Sequence, residues 1–298
     1  MTNNGDRVGQ GRAQGDGFDP LRVPVEGNLR DYLTDADESM ADEVAARAEL
    51  GKYVRTYLDD GAGVLVLTGL PADRDSGERA VSRATSLIGA PLPQNREGTL
   101  VREVKDRGMS ISQRGRTRYS DSRLGGDLHT DGAEAALPAP DVFTLFCVRQ
   151  SEWGGALQCL HVRDVERALE PDVVRTLREP FHFDRRGDQQ PGEAPTTTKP
   201  VLFTQRGRPA ITYLRSYIDQ GHDHPEVPPL TVRQRTALDA LDALIGSSSA
   251  LLTGKLREGE LALFDNLALL HGRTEFRDEP DHTRLLLRTW IRRTIEAS

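Results

Sequence analysis

The last third of the chain contains ELALFDNLALLHGRTEF at residues 260–276 and RLLLRTWIR at residues 284–292. Short apolar runs bounded by Gly, Pro, Asn or charged residues are typical of buried strands. The same pattern occurs in GVLVLTGLP at 63–71 and PDVFTLFCV at 140–148, and such runs dominate from Gly98 onward. The sequence therefore predicts a mainly β protein with flanking helices, whose antiparallel core is a sandwich or a jelly roll.

Helical patterns occupy fewer segments. The predicted helices are residues 35–60, 79–88, 162–178 with a break at Pro171, and 231–245 with Thr231 as N-cap. Residues 180–186 and 208–215 are predicted as further strands, the second with Tyr213 and Arg215 on one face. Helices thus cluster near the N-terminus and in one later insertion, outside the β core.

The domain organisation is predicted to be simple. Residues 1–16 are rich in Gly, Asn and charge and contain almost nothing to bury, which predicts a disordered leader. Residues 17–298 are predicted to form a single domain. Two polar stretches near 106–126 and 185–200 are predicted to be loops that flank the mouth of a site and close over it as lids.

Composition restricts the classes of partner. The net charge is −7, and no basic tract or aromatic-interleaved patch suggests nucleic acid. No apolar run is long enough to predict a membrane span. Two cysteines, Cys147 and Cys159, are too few for a disulfide framework, which favours a reducing cytoplasm. A small-molecule substrate is the expected partner, and a homo-oligomer is left open.

Pairs of the type H-x-D/E form a possible metal-binding pattern. On a strand, positions i and i+2 project to the same side, and two histidines with one carboxylate make the facial site of non-haem iron(II). Such pairs occur at residues 129–131, 182–184 and 224–226, although the numbers of histidines and acids predict about one by chance. His224 lies in the Pro-rich GHDHPEVPP, which favours a solvated loop, and Asp184 has arginines nearby with which it could pair.

The pair His129 and Asp131 has a different context. It lies in GGDLHTDG, framed by glycines and shortly before a predicted strand. A surface His–Asp pair capping a turn is the alternative at this point. His271, just after the strand ELALFDN and before Gly272, is a candidate third ligand from a distant segment.

Arginines on the apolar strand RLLLRTWIR are a second signal. Arg284 and Arg288 fall on one face, and a buried guanidinium requires a partner, for which a carboxylate is the bidentate match. Two inward arginines therefore predict two carboxylates in the site. The alternative is an edge strand with a solvated face, since Arg292 and Arg293 continue the basic run.

These motifs resemble the taurine dioxygenase/clavaminate synthase-like superfamily of iron(II)/2-oxoglutarate oxygenases. The resemblance rests on LHTDG, Gly154-Gly155, FDN..LLHGR and RLLLRTWIR, in this order, with the second histidine about 140 residues after the first. LDDGAGVLVLTGLP is similar to the strand that opens these domains, so the resemblance covers roughly residues 30–293.

The resemblance implies a fold and a set of cofactors. The fold is a double-stranded β-helix, a clavaminate synthase-like jelly roll. His129, Asp131 and His271 are implied as the iron(II) ligands and catalytic centre. Arg284 is implied to bind the distal carboxylate of 2-oxoglutarate, which is consumed together with O₂.

The implied activity is hydroxylation, or another oxidation, of an unactivated C–H bond. Related halogenases replace the carboxylate ligand with a small residue, so Asp131 favours oxidation without halogenation. Arg288 matches a position that often contacts an anionic group of the substrate, and Asp127 and Tyr213 are further substrate-binding candidates. An amino acid or amino-acid-derived metabolite from natural-product biosynthesis is the expected substrate, with antibiotic biosynthesis as the expected setting.

One departure from the family pattern concerns the co-substrate. Taurine dioxygenase-like members have a threonine two residues after the Gly-Gly pair that helps to hold 2-oxoglutarate, whereas here Ala156 and Leu157 follow Gly155. Three other readings stay open: a desaturase, epoxidase or cyclase of the same superfamily, a non-catalytic jelly-roll binding protein, and a zinc hydrolase using the same ligands.

Overall fold

The structure, a computed structural model, describes residues 16–35, 42–95, 97–108, 121–134, 139–187, 189 and 192–294. The predicted leader, except for residue 16, and residues 109–120 of the first predicted lid lie outside these ranges.

Strands and helices are numbered here in chain order. The strands are β1 (Arg22–Pro24), β2 (Val64–Thr68), β3 (Gly89–Leu92), β4 (Val101–Val104), β5 (Gly126–His129), β6 (Val142–Arg149), β7 (Trp153–Gly154), β8 (Leu157–His161), β9 (Pro180–Asp184), β10 (Thr196–Pro200), β11 (Leu202–Gln205), β12 (Arg208–Ile211), β13 (Leu252–Gly254), β14 (Leu261–Asp265), β15 (Leu269–Arg273), β16 (Phe276–Arg277) and β17 (Leu285–Arg293). The helices are α1 (Gly27–Thr34), α2 (Glu43–Tyr53), α3 (Arg74–Ile88), α4 (Val162–Ala168), α5 (Pro171–Leu177), α6 (Arg215–His222) and α7 (Val232–Ser247). A 3₁₀ turn at Asp19–Leu21 precedes β1, and a π turn at Val54–Asp59 follows α2.

Two facing sheets form the jelly roll. The larger sheet has the order β1-β2-β14-β6-β17-β3, with β4 also paired to β17, and the smaller sheet has the order β13-β8-β15-β5. Apart from the parallel pair β1–β2, the neighbours within both sheets are antiparallel. The prediction of a mainly β jelly roll with flanking helices is confirmed.

The alternation of β6 separates two apolar layers. Phe143 and Leu145 face inward and join a cluster with Leu157 of β8 and Leu269 of β15. Phe146, on the opposite face, belongs to the cluster that also includes residues of α1, α2 and α3. Because successive side chains of a strand point to opposite faces, a continuous apolar run such as β6 indicates a strand buried on both sides.

A third apolar layer covers the outer face of the smaller sheet. Leu160 of β8 and Leu270 of β15 pack there with Phe181 of β9 and with Leu238 and Leu241 of α7. Helix α7 and the β9–β10 hairpin thus cover the outer face of the sheet that carries His129 and His271.

Several sequence predictions required correction. The strand predicted over 208–215 ends at Ile211, and Arg215 begins α6, so Tyr213 and Arg215 do not alternate on a strand. Residues 196–200, predicted as loop, form β10, because the β-branched residues of TTTKP suit a strand paired with β9. Helix α1 was missed, since only Leu29 and Leu33 are fully buried and its pattern is short.

Among the described residues, no helix combines the length and apolar character required to cross a bilayer.

Candidate active site

His129, Asp131 and His271 converge at one edge of the smaller sheet. His129 ends β5 and His271 lies directly opposite it on β15, while Asp131 follows in the turn after β5. The Nε2 atom of each histidine is 3.9 Å from Oδ1 of Asp131, and one donor atom from each of the three residues lies within 4.8 Å of the other two. The structure thus brings together all three predicted ligands.

The donor set fits a divalent metal ion. Metal–ligand bonds of about 2.0–2.2 Å allow two donors of one ion to be up to about 4 Å apart. His129 Nδ1 lies 2.8 Å from the backbone oxygen of Asp127, which makes Nδ1 the protonated nitrogen and leaves Nε2 as the ligand atom. Burial lowers the pKa of His271 to about 3, so its imidazole is neutral, as a ligand must be.

Two side chains of β17 hold the carboxylate of Asp131. Arg288 NH1 donates to both carboxylate oxygens at 3.1 Å, and Trp290 Nε1 donates to Oδ2 at 2.7 Å. The backbone N–H of Asp131 donates to Asn266 Oδ1 at 2.9 Å. Burial alone would raise the pKa of Asp131, but the charge of Arg288 and the hydrogen bond from Trp290 act against burial, and this pKa lies below its usual value. The carboxylate is therefore ionised and oriented.

Arg284 has the contacts expected for an anion-binding group. It is 1% exposed, its Nε donates to Gln150 Oε1 at 3.1 Å, and its guanidinium lies 5.0 Å from the ring centroid of Phe276. Its NH1 atom is buried and has no hydrogen-bond partner among the described residues. Burial, reinforced by nearby Arg273, lowers its pKa to about 9. A buried guanidinium with an unpaired N–H fits the distal carboxylate of 2-oxoglutarate.

Gly155 explains part of the Gly-Gly signature. Its φ is +75°, a region that favours glycine, and a Cβ at this position would lie 2.7 Å from Ser151 Oγ and 3.4 Å from Arg284 Nε. A side chain here would press on the contact between Arg284 and Gln150.

The family model described as taurine catabolism dioxygenase TauD, TfdA family matches residues 31–290. The chain belongs to the TauD/TfdA family. It is an iron(II)- and 2-oxoglutarate-dependent oxygenase that uses O₂.

Two similar proteins come from Streptomyces species. L-asparagine oxygenase of Streptomyces coelicolor is 30% identical over 276 residues, covering 82% of this chain and 75% of the relative. FR-33289 synthase of Streptomyces rubellomurinus is 26% identical over 250 residues, covering 78% of this chain and 70% of the relative.

Solved structures show the same fold. Asparagine oxygenase in complex with Fe(II), 2S,3S-3-hydroxyasparagine and succinate matches with a TM-score of 0.68 and 24% identity, covering 91% of this chain and 93% of that chain. The non-haem iron oxygenase OrfP in complex with Fe and alpha-ketoglutaric acid matches with a TM-score of 0.67 and 18% identity, covering 91% of this chain and 93% of that chain.

The strand that carries Arg288 is an interior strand, and Arg284 is the residue directly before it. β17 pairs with β6 on one side and with β3 and β4 on the other, so the alternative of a solvated edge is wrong. Arg284 and Arg288 both line the cavity around the three candidate metal ligands, as their spacing predicted. Arg288 is bound there to Asp131 and, through Nε, to Gln94 Oε1 at 2.8 Å. Its predicted contact with a substrate anion stays a prediction.

Tyr213 and Asp127 occupy positions different from those of the ligands. The hydroxyl of Tyr213 donates to Asp242 of α7 and is directed away from the metal ligands, and Tyr213 is not among the residues that line the cavity. Its backbone instead exchanges hydrogen bonds with Thr130, at 2.9 and 3.0 Å, and so holds the turn between His129 and Asp131. Asp127 is exposed and touches the site through its backbone oxygen. Their roles in substrate binding stay predictions.

The two other H-x-D/E pairs contact each other, the histidine of one pair binding the carboxylate of the other. His224 Nε2 lies 2.6 Å from Asp184 Oδ2, and the backbone N–H of Arg186 donates to Asp184 Oδ1. Within the part of the chain that the structure describes, the only group of three or more His, Cys, Asp or Glu side chains able to share an ion is the His129–Asp131–His271 set.

Sequence reasoning missed several residues that shape the site. Trp290 could have been found, because it lies two positions after Arg288 on the same strand face. Asn266 belongs to the FDN motif, but its contact with the backbone of Asp131 could not be predicted, and Gln94 carried no signal. Both roles depend on contacts between segments distant in sequence. Arg273, two residues after His271, also lines the cavity.

Proposed function

We propose that this oxygenase oxidises an aliphatic C–H bond of a small molecule that carries a carboxylate, namely a free amino acid or an amino-acid derivative of natural-product biosynthesis. The observation that carries the proposal is the charge of the cavity. Its charged lining consists of Arg273, Arg284 and Arg288, with Asp131 as the only carboxylate among the described residues. Such a cavity favours anionic ligands.

The apolar lining supports a reaction at an aliphatic position. The apolar side chains of the described wall near the candidate metal ligands are those of Val104, Phe143, Leu145 and Leu157. An apolar wall orients an alkyl group and excludes water from the reacting atoms. When bound, iron(II) and 2-oxoglutarate supply the oxidant for C–H cleavage. The protein's own residues bind, orient and shield the substrate.

The retained ligand carboxylate supports hydroxylation over halogenation. Asp131 accepts hydrogen bonds from Arg288 and Trp290, so the carboxylate is fixed where a halide would need a vacant ligand position. Desaturation, epoxidation and cyclisation share this site and differ from hydroxylation in how the substrate is posed.

The relatives support the amino-acid class. Asparagine oxygenase is solved with 3-hydroxyasparagine, and OrfP with (3S)-hydroxy-L-Arg, in both cases products of oxidation of an amino acid. FR-33289 synthase places a further relative in the biosynthesis of a named compound. We propose the same class, and the same kind of pathway, for this chain.

The proposal includes a cytoplasmic setting. Cys147 and Cys159 are free, buried thiols, consistent with a reducing compartment. The expected lack of a nucleic-acid partner and the homo-oligomer stay predictions.

Anaerobic titration of the protein with iron(II) and 2-oxoglutarate tests the cofactor assignment. The expected result is the weak visible charge-transfer band of the chelate in the wild type and its loss in Asp131→Ala and His271→Ala. A wild type without the band would refute the assignment. A band that survived in both variants would refute the ligand set.

A screen of free L-amino acids for coupled succinate release then tests the substrate class. If neither the free amino acids nor their simple derivatives gave succinate release, the proposed substrate class would be refuted.

A further inference from the structure

Arg273 is a half-buried arginine that lines the cavity and has no role assigned above in holding the metal ion or the co-substrate. It lies on β15 two residues after His271, so both side chains project from the same face of the strand. Its NH2 atom donates to the backbone oxygens of Ser122 and Leu124, each at 2.8 Å. Its NH1 atom is buried and without a partner among the described residues.

Arg273 and Arg284 share one aromatic ring. Their guanidinium carbons lie 4.5 and 5.0 Å from the ring centroid of Phe276. Each has one buried, unpaired NH1 atom, and no carboxylate of the described residues is hydrogen-bonded to either guanidinium. Burial lowers the pKa of Arg273 to about 10, and the proximity of Arg273 contributes to the lowered pKa of Arg284.

Two neighbouring guanidinium groups whose buried N–H groups have no hydrogen-bonded carboxylate among the described residues are costly. The arrangement is explained if a ligand supplies a carboxylate with two oxygens, one for each unpaired N–H. Asp131 cannot fill this role, because Arg288 and Trp290 already bind it.

Leu157 provides a second, independent observation. It occupies the position where taurine dioxygenase-like members have the threonine that helps to hold 2-oxoglutarate, and it lines the same cavity with no polar atom in its side chain. The co-substrate therefore lacks one hydrogen-bond donor here, and Arg273 presents an unused one.

We propose that Arg273 is a second co-substrate-binding arginine, which together with Arg284 holds the distal carboxylate of 2-oxoglutarate and replaces the missing threonine. The inference rests on the proposed function, in that it requires 2-oxoglutarate to chelate iron at this site. It makes Arg273 a determinant of selectivity for oxo acids that carry a distal carboxylate.

Anaerobic binding to the iron(II)-loaded protein tests the inference. The probes are 2-oxoglutarate and 2-oxopentanoate, which has the same chain length and no distal carboxylate. Arg273→Met should weaken 2-oxoglutarate binding by about tenfold to a hundredfold, the range for loss of a charge-assisted hydrogen bond. Binding of 2-oxopentanoate and of iron(II) should stay within about twofold of the wild type, because neither uses the distal carboxylate site.

Arg277→Met is the matched control. Arg277 is an exposed arginine of the neighbouring strand β16, and its guanidinium lies 4.6 Å from the ring centroid of Trp153, outside the cavity. This variant should bind both oxo acids as the wild type does. Arg273→Lys, which keeps the charge, should recover part of the lost 2-oxoglutarate affinity.

Two results would overturn the inference. Unchanged 2-oxoglutarate affinity in Arg273→Met would show that Arg273 does not contact the co-substrate. An equal loss for both oxo acids, or loss of iron(II) binding, would show that it only supports the backbone at Ser122 and Leu124. If the wild type itself gives no charge-transfer band, the proposed function fails instead.

Discussion

At the scale of single residues, Asp131 depends on hydrogen bonds from β17, a strand of the opposite sheet. Arg288 and Trp290 both donate to its carboxylate, and Asn266 accepts from its backbone N–H. Loss of a group that orients a metal ligand in this way commonly lowers metal affinity by about tenfold to a hundredfold. The effect of these hydrogen bonds on Asp131 can therefore be tested without replacing any of the candidate metal ligands.

Replacement of Trp290 by Phe should weaken iron(II) binding by about tenfold, within the range for loss of a partner of a metal ligand. The substitution removes the indole N–H that donates to Asp131 and keeps an aromatic ring in the core. Isothermal titration with iron(II) under anaerobic conditions measures the effect. Trp153→Phe is the control, because Trp153 is the other tryptophan of the chain and is 52% exposed. Equal affinities in the two variants would contradict the role of Trp290.

Single residues also show what the sequence could and could not predict. His129, Asp131, His271 and Arg284 could be proposed from the ordered motifs. Strand periodicity does not place all of them, because Asp131 lies in the turn after β5 and Arg284 directly before β17. The partner of Arg288 could not be predicted from the sequence. Its hydrogen bond to Asp131 depends on how the turn after β5 packs against a strand of the other sheet.

At the scale of elements, α7 starts with a complete capping box. The Thr231 side chain accepts from the backbone of Gln234, and the Gln234 side chain accepts in return from the backbone N–H of Thr231. Thr231→Ala should therefore lower the free energy of unfolding by about 1 kcal/mol. Urea unfolding measures the loss. Thr236→Ala, at an exposed position inside the same helix, should be neutral or slightly stabilising, and an equal loss there would contradict the capping role.

A buried ion-pair network ties three elements together around Asp59. This residue ends the π turn after α2, and its carboxylate binds Arg293 at the end of β17 and Arg208 at the start of β12. Burial alone would raise the pKa of Asp59, but the two arginines outweigh it and leave the pKa below its usual value. The ionised form therefore stabilises the fold.

Asp59→Asn should lower the free energy of unfolding by about 2–4 kcal/mol at pH 7, because it removes the charged partner of the buried Arg293 guanidinium. The contribution of Asp59 is complete above the unfolded-state carboxyl pKa of about 3.9 and is lost as pH falls through the lower folded-state value. The difference between variant and wild type should therefore shrink at pH 3. Urea unfolding at both pH values measures this. Asp60→Asn, an exposed neighbour, is the control, and a difference independent of pH would contradict the ionic origin.

The elements differ in how well the sequence predicted them. β6 and β17 were predictable because both faces are buried, which leaves a continuous apolar run. Helix α6 could not be predicted, because RSYIDQGH has few apolar residues and follows a strand pattern. Its position is fixed by the packing of Gly221 against the backbone of His182. Tertiary contact decided the structure there over local propensity.

At the scale of the whole molecule, the metal site joins segments that are distant in sequence. β5, which contributes His129, is a four-residue strand at the edge of the smaller sheet and pairs with β15 over a register irregularity. An ion bound by His129, Asp131 and His271 crosslinks this edge strand to the interior of the sheet. A ligand that binds only the folded state raises stability by mass action.

Iron(II) with 2-oxoglutarate should therefore raise the thermal midpoint of the protein under anaerobic conditions. At free concentrations of about one hundred times Kd the gain is about 2.7 kcal/mol, which for a chain of this size corresponds to a rise of about 5 °C. Differential scanning fluorimetry measures the midpoint. His271→Ala should abolish the shift, because it removes a ligand of the ion. His282→Ala, which changes a histidine with a side chain 40% exposed outside the cavity, should retain it. A shift of equal size in both variants would mean that the ion stabilises the protein from some site other than the one formed by β5 and β15.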